Sequence, residues 1–239
     1  MRRTGTFPCQ QRQRFHRRSG GSVLWWLGNE YLMSNYQSIE VWHLETDMAS
    51  QPVAPGSQRI DVFPLNGQPD FYRYLYIAVG APWKWYMRLG WEYRQWERLL
   101  LDNKVHVFVG YRHGHPAGFF ELRELSNRVV KIAYFGLIPE LIGEGLGGDF
   151  LGHALYQAYR LGARRVTLNT CSMDHPNALP NYLEHGFLVR KHDRFSDHVP
   201  DDIQPWPNAS KPAYEIPQRH NGKSRDKQPH NKKYVGRYQ

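Results

Sequence analysis

The chain has 239 residues and a net charge of +9, and 22% of its residues are charged. The positive charge is concentrated at the two ends: residues 1–20 contain six arginines and no acidic residue, and residues 211–239 contain eight lysines and arginines against two acidic residues. A protein that binds nucleic acid through a folded basic face would carry this charge within its folded part. The distribution therefore predicts disordered basic extensions over 1–38 and 199–239, and it argues against nucleic acid as a partner except for weak binding through them.

The composition also bears on the compartment. Only two cysteines occur, too few for a disulfide framework. No apolar run reaches the ~18 residues that a membrane-spanning helix needs, and the run at 23–27 is too short for a secretory signal peptide. The arginine-rich start is typical of an organellar transit peptide, but a translation start at Met33 explains it more simply. We therefore expect a cytoplasmic protein that does not contact a membrane.

The hydrophobic periodicity predicts a series of strands and helices between these extensions. In chain order they are a strand at 39–46, helices at 70–80 and 91–103, a hairpin of strands at 105–111 and 117–124, a strand at 128–138, a helix at 147–161, a strand at 164–170, a helix at 176–185 and a strand at 187–195. Strands paired as hairpins come first and helices follow. This order predicts one α+β domain over residues 39–198, with helices on both faces of its sheet.

A glycine-rich turn joins the strand at 128–138 to the helix at 147–161. Glycines at 143, 145, 147 and 148 allow the backbone to approach a ligand, and the free N–H groups of a helix start attract an anion, so the segment predicts a phosphate site. The GxGxxG match within it indicates a dinucleotide site only if it follows the first strand and precedes an acidic residue by about 20 positions. Neither condition holds here, which argues against a dinucleotide.

Residues 137–147, LIPELIGEGLG, instead resemble motif A of the GNAT acyltransferase superfamily, V-x-P-x-x-(Q/R)-x-x-G-x-(G/A), in register. The resemblance implies a three-layer α/β/α fold around a mixed, mostly antiparallel sheet, with acetyl-CoA as cosubstrate. It also implies that the backbone of Leu137 contacts the pantetheine arm and that the pyrophosphate is held by Gly143, Gly145, Leu146 and Gly147.

Two residues of this segment depart from the family pattern. Ile142 stands where the family usually has Gln or Arg, and Glu144 stands where it often has a basic residue. Backbone amides supply most of the contact with phosphate, so Ile142 is tolerable. The carboxylate of Glu144 would lie beside a phosphate, and we therefore expect weaker CoA binding than in a typical member.

The segment NALPNYLEHGF (177–187) is similar to a second family motif, A-x-x-L-Y-x-x-x-G-F. The resemblance implies that Tyr182 is the general acid that protonates the departing thiolate, and that His175 takes the place of an asparagine that contacts CoA. Packing in the core is the alternative role of Tyr182. Asp174 and His175 could also form an acid–base pair, but the Asp-His-Pro sequence favours capping of the following helix.

Glu121 is the candidate general base. It lies within a predicted strand among Phe119, Phe120 and Leu122, so desolvation is expected to raise its pKa. A glutamate at the rim of the fold, paired with Arg123 or Arg128, is an equally supported alternative.

The acceptor is expected to be an amine carried by a small molecule or a protein. Residues 71–96 contain ten aromatic side chains, which could line an acceptor site or form a cage for a cationic amine. The histidines show no metal-ligand spacing, so no metal is expected, and a homodimer is an open alternative to a monomer. The resemblance thus implies an N-acetyltransferase that transfers an acetyl group from acetyl-CoA to a primary amine by direct attack. The alternative is a catalytically weak or inactive acyl-CoA-binding module that acts as a sensor or interaction domain.

Overall fold

The computed structural model describes residues 36–48 and 59–199. The predicted basic extensions fall almost entirely outside these residues. Within them the elements agree with the predicted ones in kind and order, and residues 61–64 form one further short strand at the edge of the sheet. The strands are β1 (Tyr36–Asp47), β2 (Asp61–Pro64), β3 (Val105–Arg112), β4 (His115–Glu124), β5 (Val129–Leu137), β6 (Arg165–Cys171) and β7 (Leu188–His198). The α-helices are α1 (Pro69–Gly80), α2 (Tyr93–Leu101), α3 (Gly147–Arg160) and α4 (Ala178–Glu184).

The strands form one sheet in the order β2-β3-β4-β5-β6-β1-β7. Only β5 and β6 pair in parallel, and every other neighbouring pair is antiparallel. This arrangement confirms the predicted mixed, mostly antiparallel sheet. The expectation that the early strands pair as hairpins holds for β3 and β4 but is wrong for β1, which lies between β6 and β7. β1 is buried on both faces of the sheet, with Val41 packed on one face and Leu44 on the other. This burial agrees with a strand that has a neighbour on each side.

Helices cover both faces of the sheet, so the predicted three layers are confirmed. Alternation along β4 shows the two cores clearly: Phe119 belongs to the core beneath α1 and α2, whereas Phe120 belongs to the core beneath α3 and α4. Within the described ranges no helix is long and apolar enough to cross a lipid bilayer.

The two parallel strands separate halfway along their length. β5 and β6 pair only from Val129–Ile132 against Arg165–Leu168. On the other edge of β5, Glu121 pairs with Tyr134 and Leu122 pairs with Ile132, so Ala133 is an extra residue in a β-bulge. Beyond the bulge, the edge of β5 that faces β6 has no strand partner. A gap therefore opens between two neighbouring strands in the middle of the sheet.

The segment after α1 reaches this gap. α1 ends at Gly80 as predicted, but Gly80 has a right-handed conformation with φ of −93°. A side chain is excluded there by packing, since a Cβ at Gly80 would lie 2.3 Å from the indole of Trp85. The missing side chain lets Trp85 fold back over the end of α1.

Candidate active site

A cleft of about 640 Å³ opens where β5 and β6 separate. Its walls come from the end of β5, the glycine turn, the first turn of α3, the loop after β6, and α4. Seven of the eight residues predicted to form the site line this cleft: Leu137, Gly143, Gly145, Leu146, Gly147, His175 and Tyr182. Glu121 does not line it.

The glycine turn has the geometry of an anion site. Gly143 and Gly145 adopt φ of 87° and 72°, a left-handed conformation that costs other residues about 1–2 kcal/mol. The side chain of Leu146 is buried and fixes the turn to the core beneath α3. The amides at positions 147–149 begin α3 and have no acceptor among the described residues. Free N–H groups and the positive end of a helix dipole thus face the cleft.

Two arginines from distant parts of the chain hold the outer side of this turn. Arg112 on β3 forms an ion pair with Glu144, whose side chain does not line the cleft. Arg59 donates hydrogen bonds to the carbonyl oxygens of Glu144 and Gly145, at 2.6 and 3.3 Å, and to the Asp149 carboxylate at 3.3 Å. The carboxylate of Glu144 is therefore balanced by a cation, which removes the physical reason for expecting it to weaken CoA binding.

Sequence reasoning missed both arginines, because nothing in the local pattern around them indicates a contact with a turn tens of residues away. It also missed Asn181 of α4 and His185, the residue that follows this helix. The Nδ1 atom of His185 lies 2.8 Å from the carbonyl oxygen of Asn181, and the same ring lies 3.0 Å from where a Cβ at Gly148 would stand. The fourth glycine of the turn therefore makes room for α4, and the Asn181 and His185 side chains face the start of α3.

Tyr182 lies both in the core and in the wall of the cleft. Its ring packs against Phe135 and Phe187 with centroid distances of 6.1 and 5.9 Å, while the residue also lines the cleft. No described residue forms a hydrogen bond with its hydroxyl. Burial, and to a smaller extent the charge of Asp174, raise the pKa of Tyr182 well above its ordinary value. The phenol is therefore protonated at neutral pH, as a proton donor must be, and the acid role stays a prediction.

His175 lies in the cleft wall, with its ring edge-to-face on Trp83 at 5.2 Å. Its Nδ1 accepts a hydrogen bond from the backbone N–H of Asn177 at 3.0 Å, and burial lowers its pKa. The predicted helix-capping role of Asp174 is wrong. Asn177 is the N-cap residue of α4, and Asp174 instead accepts hydrogen bonds from the Thr170 hydroxyl (2.7 Å) and the Cys171 N–H (3.0 Å) at the end of β6.

Glu121 occupies a different place from the one its base role requires. It is fully buried beneath α1, where its carboxylate accepts hydrogen bonds from Arg88 at 2.7 and 3.0 Å, from Arg123 at 2.6 Å and from the Tyr72 hydroxyl. Burial raises its pKa, but the two guanidinium groups and the Tyr72 hydroxyl outweigh burial and lower the pKa to about 2. The expectation of a raised pKa is therefore wrong. The predicted pairing with Arg123 is present, in the core rather than at the rim.

The aromatic segment 71–96 is divided between core and cleft. Trp83 and Trp85 line the cleft, whereas Tyr72, Tyr76 and Trp96 are completely buried. The aromatic rings do surround a cation, but that cation belongs to the chain: the Arg88 guanidinium lies 4.1 Å from the ring centre of Tyr134 and 4.8 Å from that of Trp91. Throughout the described part of the chain, no group of three or more His, Cys, Asp or Glu residues could hold a metal ion.

A gap between parallel strands, bordered by a glycine turn and a helix start, has the geometry of a site for a phosphate-bearing ligand within a mixed sheet. The family model for the acetyltransferase (GNAT) family matches residues 70–187. The chain belongs to this family.

Solved structures of family members share the fold. A GCN5-related N-acetyltransferase from Sphaerobacter thermophilus is 18% identical, with a TM-score of 0.51 over 70% of this chain and 54% of that chain. Another GCN5-related N-acetyltransferase, from Kribbella flavida, is 13% identical, with a TM-score of 0.49 over 72% of this chain and 63% of that chain. This chain thus spans between about half and two thirds of the length of these structures. No sequence among curated proteins is significantly similar to it.

Proposed function

We propose that this protein is an N-acetyltransferase that transfers the acetyl group of acetyl-CoA to a primary amine. The observation that carries the proposal is the cleft that joins the amides at positions 147–149, at the start of α3, to the unpaired edge of β5 and to Tyr182. A ligand with a diphosphate at one end, an amide-rich arm in the middle and a thioester at the other end matches these three features in order.

Each part of the cleft would bind one part of acetyl-CoA. The diphosphate accepts hydrogen bonds from the amides of the glycine turn and the first turn of α3, with Asn181 and His185 on its other side. The pantetheine arm lies along the unpaired edge of β5, where the backbone of Leu137 and its neighbours offers the hydrogen bonds that a strand would otherwise make. The thioester then reaches the inner end of the cleft, between Trp85 and Tyr182.

The residues present favour direct attack of the amine on the thioester. No serine, threonine or cysteine belongs to the described lining of the cleft, so it lacks the aliphatic hydroxyl or thiol that most often carries an acyl group in covalent catalysis. Attack by the amine forms a tetrahedral intermediate, whose collapse breaks the carbon–sulfur bond. The Tyr182 hydroxyl then donates its proton to the departing thiolate.

The alternative of a weak or inactive acyl-CoA-binding module has lost one of its two reasons, because Arg112 balances the charge of Glu144. Its other reason, Ile142, concerns a side chain at a site where the backbone makes the contacts. No feature of the cleft favours this alternative. A cytoplasmic location and a homodimer stay predictions from the sequence.

A thiol-release assay tests the proposal. The purified chain is incubated with acetyl-CoA and a panel of amines that includes phenylethylamine, spermidine, glucosamine and an alanine-terminated peptide, and free CoA is measured with a thiol reagent. We expect amine-dependent release that is lost when Gly145, with its φ of 72°, is replaced by valine. Binding of CoA without release for any amine would favour the inactive module instead.

A further inference from the structure

Asp174 is a partly buried carboxylate in the wall of the cleft. It lies three residues after the end of β6 and lines the cleft together with Trp85 and Tyr182. The Thr170 hydroxyl and the Cys171 N–H both donate to its Oδ2 atom, so the group has a fixed orientation. A carboxylate that is held in place at the end of a ligand cleft can accept a proton from a bound substrate.

The groups that surround Asp174 come from three sides. β6 contributes the Thr170 hydroxyl, the segment after α1 contributes the indole of Trp85, and α4 contributes the phenol of Tyr182. Its chain neighbour His175 packs edge-to-face on Trp83. Burial raises the pKa of Asp174, while the hydrogen bonds from Thr170 and Cys171 lower it by less, so the net direction is upward. A carboxylate with a raised pKa is a stronger base than one in water.

Asp174 and Tyr182 are also coupled electrostatically. The negative charge of Asp174 adds to burial in raising the pKa of Tyr182. When Asp174 takes up a proton its charge disappears, and this contribution to the pKa of Tyr182 disappears with it. Tyr182 is therefore a better proton donor after Asp174 has been protonated than before.

We propose that Asp174 is the proton acceptor for the amine substrate, and that its protonation activates Tyr182 as the general acid. The inference rests on the proposed function, because it assigns both proton transfers of that reaction. It replaces Glu121, which lies outside the cleft between two arginines, as the general base.

The two proton transfers balance the reaction. The ammonium group of the acceptor gives one proton to the Asp174 carboxylate, directly or through one water, and becomes a free amine. The amine attacks the thioester carbonyl, and the carbon–sulfur bond breaks as the thiolate takes the proton of the Tyr182 hydroxyl. The nitrogen loses its second proton as the amide forms, which restores the phenol. The proton on Asp174 leaves to solvent with the products, so one proton is released for each acetyl group transferred.

The variant Asp174→Asn separates this role from a purely structural one. An asparagine side-chain oxygen can still accept the hydrogen bonds of Thr170 and Cys171, but the amide cannot take up a proton at neutral pH. We expect Asp174→Asn to keep the wild-type melting temperature and CoA affinity while kcat at pH 7 falls by about 10²–10⁴-fold. Its pH–rate profile should lose the acid limb, and its kcat should rise as the pH approaches the pKa of the acceptor amine. The control Asp174→Ala, which loses both hydrogen bonds, should lower the melting temperature as well.

The rates are measured with the amine of the panel that the wild type acetylates fastest. If Asp174 only stabilises the end of β6, Asp174→Asn keeps the wild-type kcat and the acid limb of the pH–rate profile. That result overturns the inference about Asp174 and leaves the proposed function standing. If the wild type acetylates no amine, the proposed function fails and the inference falls with it. The pKa of Asp174 can also be measured without an acceptor, by carbon NMR of protein labelled at the aspartate carboxyl carbons. The Asp174 signal is assigned by its loss in Asp174→Asn. A carboxyl pKa at or below the ordinary aspartate value would also overturn the base assignment.

Discussion

The substitution Glu121→Gln distinguishes a buried counter-ion from a general base. Glutamine keeps the shape of the side chain and an acceptor oxygen for Arg88, but it removes the negative charge that two arginines share. The side chain of Arg88 is only 4% exposed, so its cation would stay in the core without compensation. Breaking a buried ion pair from one side typically costs about 3–5 kcal/mol.

The pKa of Glu121 gives a second route to the same magnitude. Its pKa is lowered from 4.5 to about 2 in the folded protein, and each pH unit corresponds to about 1.4 kcal/mol, so the ionised carboxylate contributes about 3 kcal/mol. Because the folded pKa is the lower one, this contribution is complete above pH 4.5 and is lost as the pH falls toward 2. The wild type should therefore lose stability across this window, and Glu121→Gln should lose much less.

Urea unfolding at neutral pH, followed by tryptophan fluorescence, measures the effect. We expect Glu121→Gln to lower the free energy of unfolding by about 3 kcal/mol or more. The matched control is Glu45→Gln, which removes the same charge from partly exposed pairs with Arg165 and Arg190 and should cost about 1 kcal/mol or less. The counter-ion role predicts an unchanged acid limb of the pH–rate profile in Glu121→Gln. Wild-type stability together with loss of that limb would exclude the counter-ion role and restore Glu121 as the base.

Three further substitutions test the cleft. Tyr182→Phe should lower kcat at least tenfold and leave the Kd for CoA unchanged, since it removes only the proton donor; unchanged turnover would exclude Tyr182 as the acid. Arg59→Gln removes two hydrogen bonds to carbonyl oxygens of the glycine turn, and the Arg59 side chain is 46% exposed. We therefore expect a several-fold higher KM for acetyl-CoA, with nearly constant kcat and stability. A constant KM would contradict the role of Arg59 in positioning the turn. Gly148→Ala places a Cβ 3.0 Å from the His185 ring. This should displace the ring and weaken CoA binding about tenfold in a calorimetric titration. The control Gly90→Ala, at a position with open space around it, should leave CoA binding unchanged.

The sequence predicted the elements well because their signals are local. The apolar residues along β4, and the glycines between β5 and α3, are readable within a window of about ten residues. The position of β1 between β6 and β7 cannot be predicted from local signals, because strand order depends on contacts between segments more than a hundred residues apart. Local signals also explain why seven predicted site residues line the cleft. All of them lie on β5, in the glycine turn or near α4, where two local motifs resemble family motifs.

The errors concern side chains whose environment is tertiary. The apolar neighbours of Glu121 correctly indicated burial, but the sign of its pKa shift depends on Arg88, which comes from the segment after α1. The partner of Glu144, Arg112, lies on another strand and could not be found from the local pattern, and the expectation of weaker CoA binding stays a prediction. Asp174 looked like a helix cap, and only the fold shows that it closes β6 beside Tyr182.

The most direct test of the account is a titration of the ¹⁵N-labelled protein with CoA, followed through its amide resonances. We predict saturable shifts of the amides at positions 145–149 and 133–137, the glycine turn and the unpaired edge of β5. Amides of α2, which packs on the other face of the sheet, should not move. Absence of binding at millimolar CoA, or shifts confined to residues outside the cleft, would contradict the claim that this cleft is the acyl-CoA site.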